Sequence, residues 1–175
     1  MRKDDLKYIW KGLNNYCTKW DHYFPVYERY LSKYIGEHIT MLEIGVLGGG
    51  SLEMWRKYLG PGTKLVGVDI DPICLKYADK DTDILIGDQE DPVFLKSIVD
   101  RYKNFDVIID DGGHTMKQQI ASLNHLYPSL ADQGVYLCED THTNYWDRFG
   151  GGLNRQGTFI EYTKEILDVV NSKHI

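Results

Sequence analysis

The sequence predicts an α/β three-layer sandwich, one mostly parallel sheet with helices on both faces, and three observations carry that prediction. Five short apolar runs, residues 40–45, 64–69, 83–88, 105–110 and 134–140, alternate with stretches of helical periodicity, the pattern of repeated β-α-β units. The first run ends in a glycine-rich turn, Gly45 to Gly50, that opens directly into a helix. The other four end in acids: Asp69, Asp88, Asp110-Asp111 and Glu139-Asp140. Parallel strands joined by helices bring their C-terminal ends to one edge, where open α/β sheets bind ligands, so these acids converge.

Each element has a local reason. Residues 4–35 read as two helices with a break: Leu6, Ile9, Trp10 and Leu13 fall at helical spacing, and a second helix follows Asp21 with Pro25 in its first turn. The same segment holds Tyr16, Trp20, Tyr23, Tyr27 and Tyr30, which suit either a sugar-binding wall or plain helix packing. A helix through Leu52, Trp55 and Tyr58 follows the glycine turn, and another starts near Pro72. Residues 91–102 and 114–127 are helical, the latter ended by Pro128, and residues 156–171 form a final helix. Between the last strand and that helix, residues 141–157 form a polar, aromatic loop with His142, Tyr145 and Trp146, of the kind that covers a site.

At 175 residues the chain has room for one domain with a sizeable core, residues 1–175, and not comfortably for two. A net charge of -6 without a Lys/Arg cluster argues against a nucleic-acid partner and for small molecules. Cys17, Cys74 and Cys138 are odd in number and widely spaced, so neither a disulfide framework nor a zinc site is expected. With no apolar run near the ~20 residues of a membrane span and no signal-like N-terminus, a cytoplasmic protein with no membrane association is expected.

The chemistry concentrates at the strand ends. Glycines allow positive φ and close ligand approach, and the helix N-terminus behind them supplies N–H groups. The spacing 45, 48, 49, 50 is not the GxGxxG of dinucleotide binding, and Glu43 just before it suits a cationic ligand better than a pyrophosphate. Asp69 is placed to hold two ribose hydroxyls, and Asp88 with Gln89 to touch a base; helix capping competes as an explanation of each acid singly. Asp111, Glu139 and Asp140 gather oxygen donors that repel one another unless a hard cation such as Mg2+ neutralises them. His114 stands beside that cluster.

Taken together, Leu42-Glu43-Ile44-Gly45-Val46 with Gly48 to Ser51, Gly67-Val68-Asp69, Gly87-Asp88-Gln89, Asp110-Asp111-Gly112-Gly113-His114 and Glu139-Asp140-Thr141-His142-Thr143 with Tyr145-Trp146 make the chain resemble the class I S-adenosylmethionine-dependent methyltransferases, in the metal-dependent macrocin O-methyltransferase and cephalosporin-hydroxylase-like group. The resemblance implies a Rossmann-like sheet of order 3-2-1-4-5. It also implies S-adenosylmethionine against Glu43, Gly45, Gly48, Ser51, Asp69, Asp88, Gln89 and Asp110. Mg2+ or another divalent cation is then held by Asp111, Glu139 and Asp140, with Asp111 and His114 catalytic and His114 the general base. The acceptor is a hydroxylated small molecule, a sugar before a catechol, met by His142, Tyr145 and Trp146. Family members add a sixth and a seventh strand, so the chain is expected to be truncated at its C-terminus, with strand five an edge for a partner or second copy to cover. That departure keeps a degenerate domain with an assembly role as a rival; a nicotinamide-dependent oxidoreductase is disfavoured by the glycine spacing and the acidic pair.

Overall fold

The computed structural model describes residues 5–172. Five strands, β1 (Thr40–Ile44), β2 (Lys64–Asp69), β3 (Thr82–Ile86), β4 (Phe105–Asp110) and β5 (Leu130–Cys138), form one sheet in the order β3-β2-β1-β4-β5. All four pairings are parallel, and the expected fold class and strand order are borne out.

Because side chains alternate across a strand, β1 and β4 each feed two cores. Met41, Val107 and Ile109 pack with Leu6, Tyr27, Leu31 and Trp55 under α1 (Leu6–Lys11), α2 (Phe24–Leu31) and α3 (Gly50–Leu59). On the other face Leu42, Ile44 and Ile108 meet Leu95, Ile98 and Leu126 from α4 (Pro92–Tyr102) and α5 (Met116–Leu126). Each such side chain contributes roughly 1.5–3 kcal/mol when fully buried, which makes the two central strands a rigid base for whatever sits at their ends.

Four elements differ in detail from the expected ones. The chain between α1 and α2 is irregular over residues 12–20. After Asp71, whose side chain caps from outside, Pro72–Tyr77 is a 3-10 helix rather than a longer helix. α5 begins at Met116, not His114, because Thr115 accepts from the Gln118 backbone N–H while the Gln118 side chain accepts from the Thr115 N–H, a reciprocal cap. β5 starts four residues early, at Leu130 opposite Phe105, and a bulge with Gln133 at φ 65° shifts its register before Val135 meets Val107. The last helix, α6 (Phe159–Ser172), lies on α5, and among the described residues no helix is long and apolar enough to cross a membrane.

Candidate functional site

A cavity of about 510 Å3 opens at the C-terminal edge of the sheet, within the range of small-molecule sites. Its first wall is built from backbone. Gly45 leaves β1 at φ 94°, and a Cβ there would stand 2.0 Å from the Asp111 carbonyl oxygen, so only glycine lets the two strand ends close up. The Val46 and Leu47 amides both donate to Asp69 Oδ2 at 2.9 Å, and the Asp71 amide donates to Oδ1 at 2.9 Å. Burial works to raise the Asp69 pKa, but these three donors prevail and hold the carboxyl below the ordinary aspartate value. Asp69 thus braces the turn and also faces the cavity, beside Gly45, Ser51, Asp88 and Gln89.

Three residues expected at the cofactor are turned elsewhere. Glu43 is fully buried beneath the turn, accepting from Ser51 Oγ at 2.7 Å and Trp55 Nε1 at 3.0 Å. Gly48 lies against Tyr16, whose carbonyl oxygen a Cβ would meet at 2.7 Å, so its missing side chain makes room for the chain's own N-terminal segment rather than for a ligand. Asp110 is buried between sheet and α5, accepting from Gln89 Nε2 at 2.7 Å, and burial pushes its pKa up to about 7 against the pull of that bond. Gln89 lines the cavity, yet its amide also donates to Ser122 Oγ and accepts from the Gly113 N–H, so it fixes the loop after β4.

The second wall is built from charge. Asp111 Oδ1 and Asp140 Oδ2 lie 3.7 and 3.6 Å from His114 Nε2, and one donor atom from each of these three residues falls within 4.8 Å of the others. Both His114 (φ 58°) and Asp140 (φ 52°) hold the left-handed backbone conformation, rare outside glycine and least uncommon for Asn, Asp and His. Strain of that kind, of order 1–3 kcal/mol per residue, persists where the surroundings over-determine it. Here the Thr143 hydroxyl donates to the His114 carbonyl, and Tyr23 fixes Asp140 twice, donating its hydroxyl to Oδ1 at 2.8 Å and accepting from the backbone N–H at 2.9 Å.

Glu139 stands apart from that trio. Its carboxylate is buried and accepts from Lys19 Nζ at 2.8 and 2.9 Å and from the Tyr27 hydroxyl at 2.5 Å. Lys19 also donates to Asp111 Oδ2 at 2.5 Å. Burial opposes the Lys19 charge, but Glu139, Asp111 and Glu43 outweigh it and raise its pKa, so the ammonium persists. Of the expected trio, Asp111 and Asp140 come together, in company with His114, whereas Glu139 is held by Lys19, which also bridges to Asp111.

His142, Tyr145 and Trp146 sit outside the cavity on the 3-10 stretch Thr141–Tyr145 and just past it, and none lines the wall. His142 packs edge-on against Trp146 and Trp20, forming a half-exposed aromatic ledge at the cavity mouth. Lys19, Tyr23 and Tyr27 were not assigned to the acids by sequence reasoning; the aromatic richness of residues 16–30 was the available signal, and nothing marked Lys19 among 20 basic residues.

No protein-family model matches the sequence. Demethylmacrocin O-methyltransferase of Streptomyces fradiae is 37% identical over 149 residues, covering 79% of this chain and 37% of that protein. Mycinamicin VI 2''-O-methyltransferase of Micromonospora griseorubida is 34% identical over 166 residues, covering 88% and 41% respectively. MycE methyltransferase from the mycinamycin biosynthetic pathway, solved with Mg and SAH, superposes with a TM-score of 0.88 at 33% identity over 99% of this chain and 47% of its own. The chain belongs to the macrocin-type O-methyltransferase family. It spans less than half the length of these relatives. For a macrocin-type domain the donor chemistry is apt: hard carboxylate oxygens suit Mg2+, and the buried Nδ1 of His114 has no hydrogen-bond partner among the described residues, while Nε2 faces the acids.

Proposed function

We propose that this chain is a single S-adenosylmethionine-dependent domain that moves a methyl group to a hydroxyl of a glycosylated small molecule, with a divalent cation at the acidic end of the cavity. The observation that carries the reading is the convergence of Asp111 Oδ1, His114 Nε2 and Asp140 Oδ2 on one end of a cavity whose other end is the glycine turn and Asp69. Mycinamicin VI 2''-O-methyltransferase and two further relatives, the rhamnosyl-tetracenomycin-C 2'- and 3'-O-methyltransferases of Streptomyces olivaceus, support by their names a sugar hydroxyl as acceptor.

Asp69 offers the ribose hydroxyls of the donor a carboxylate already oriented by three amides, and Asp88 and Gln89 flank the space for its base. Asp111 and Asp140, with Glu139 as a third oxygen ligand, would hold the cation. When bound, that ion lowers the pKa of a hydroxyl it touches, which a neutral sugar alcohol needs at neutral pH. His114 Nε2 takes the hydroxyl proton as the oxygen attacks the methyl carbon and the carbon–sulfur bond breaks. The ledge of Trp20, His142 and Trp146 receives the sugar's apolar face. A chelation experiment tests the whole reading: EDTA is expected to abolish methyl transfer to a glycosylated macrolide while S-adenosylmethionine binding by calorimetry is retained. Undiminished transfer in EDTA removes the cation from the mechanism.

A further inference from the structure

Lys19 has a place in the site that the methyl-transfer reading does not use. It reaches the acids from the irregular segment between α1 and α2, which is pinned at several points: the Gly50 N–H donates to the Tyr16 carbonyl, Trp10 Nε1 to the Cys17 carbonyl, and the Asn14 and Asn15 amides to Glu53. The lysine side chain is 1% exposed, and Nζ spends its donors on Asp111 Oδ2 and both oxygens of Glu139. A divalent ion that takes Glu139 as its third oxygen ligand beside Asp111 would claim these oxygens at roughly 2.0–2.6 Å, a seat that an ammonium and a dication cannot share. A second acid lies within reach: Glu43 Oε1 is 3.9 Å from Nζ, wholly buried, with Ser51 and Trp55 the hydrogen-bond donors to that carboxylate among the described residues.

We propose that the Lys19 ammonium is a two-position counter-ion, seated on Glu139 and Asp111 when no metal is bound and displaced toward Glu43 when a divalent cation takes those carboxylates. The inference rests on the divalent-cation reading of this site. Before the ion arrives, Lys19 balances charge and holds Glu139 and Asp111 in place, so the cluster does not fly apart. When the ion arrives it competes with Lys19, so Lys19 sets the concentration at which the site loads. Glu43, unexplained as a cofactor contact, becomes the landing point that keeps the displaced charge paired inside the protein.

The test uses Mn2+ as the probe and needs no turnover. Calorimetric titration of the parent, Lys19→Met and Glu43→Gln is expected to give opposite changes: at least tenfold tighter Mn2+ binding for Lys19→Met, which has nothing to displace, and at least threefold weaker for Glu43→Gln, which strips the landing point of charge. Mn2+ should also raise the melting temperature of Lys19→Met by more than that of the parent, because the metal then supplies the only cation for Glu139. Equal or weaker binding by Lys19→Met overturns the proposal. If either variant fails to fold even with Mn2+, a crystal structure of the parent soaked in Mn2+ decides: Nζ moved off Glu139 toward Glu43 supports displacement, and an ion on Asp111 and Asp140 with the Lys19–Glu139 pair intact refutes it. No Mn2+ binding by parent or Lys19→Met is a separate outcome, in which the divalent-cation reading itself fails and takes this inference with it.

Discussion

The two halves of the sheet's C-terminal edge are made by different means. On the β1–β2 side the wall is backbone: glycines in positive φ, amides aimed at one carboxylate, and a helix start, with its acid Glu43 buried out of contact with the cavity. On the β4–β5 side the wall is side-chain charge: Asp111, Glu139 and Asp140 with Lys19 and two tyrosines, on a backbone held in two left-handed residues. Backbone donors are insensitive to most substitutions, whereas a charged cluster depends on every member. The first half is suited to gripping a constant donor molecule, and the second to a reaction whose proton and charge must be placed.

Substitutions at the two halves should therefore separate binding from chemistry. The largest effect is expected at His114, where Asn is the apt replacement because it tolerates the left-handed backbone that Ala resists. His114→Asn should lower turnover by roughly 10²–10⁴-fold at saturating S-adenosylmethionine and divalent cation, with donor binding unchanged by calorimetry. Turnover within a few-fold of the parent would assign the proton to another group. Next comes Asp69→Ala, expected to weaken S-adenosylmethionine binding by about ten- to a hundredfold, the ~1.5–3 kcal/mol of a lost charged hydrogen bond, while Mn2+ affinity stays the same. If both affinities fall together, the halves are coupled and the contrast between them breaks.

The smallest effect is expected at an acid outside both walls. Asp83 on β3 accepts from Lys64 Nζ at 2.7 Å, Tyr102 OH at 2.6 Å and Arg101 at 3.2 Å; burial works to raise its pKa, but these partners hold it below the ordinary aspartate value. An acid depressed in the folded state adds stability above its unfolded pKa and loses it as pH falls through the folded one. Asp83→Asn should therefore cost ~0.5–1 kcal/mol in urea unfolding at pH 7, and the deficit should vanish in acid below the folded pKa, with neither donor nor Mn2+ binding altered. A deficit that is constant with pH would mean that packing, not charge, is what Asp83 supplies.

The fold was legible because alternation and punctuation act locally: five apolar runs, each ended by glycine or acid, place five strands, and all four pairings follow the order the family resemblance implied. The β5 bulge was hidden, since Ala131 to Gly134 is too polar to read as strand. At the site, spacing brought Asp111, His114 and Asp140 together, because strand ends and the turn after β4 are set by short-range geometry. What spacing could not give is which of several neighbouring acids looks outward. Glu43 and Asp110 belong to strands buried on both faces, so their side chains enter protein rather than cavity. Lys19 was invisible for a simpler reason: it sits in an irregular segment with no period to read, and its partners lie 92 and 120 residues away.

That separation has a kinetic side. Loop closure over so many residues is entropically costly, and contacts of this range form late in folding. The glycine turn and its brace from Asp69, only 22 and 23 residues apart, can form as soon as β1, α3 and β2 meet. The Lys19–Glu139 pair must wait until β5, the outermost and last strand, has docked on β4. The chain thus acquires its glycine turn early and its charged cluster near the end. A chain interrupted before β5 docks would carry Asp111 but neither Glu139 nor Asp140 beside it, and so, on the proposed function, could hold a cofactor without being able to use it.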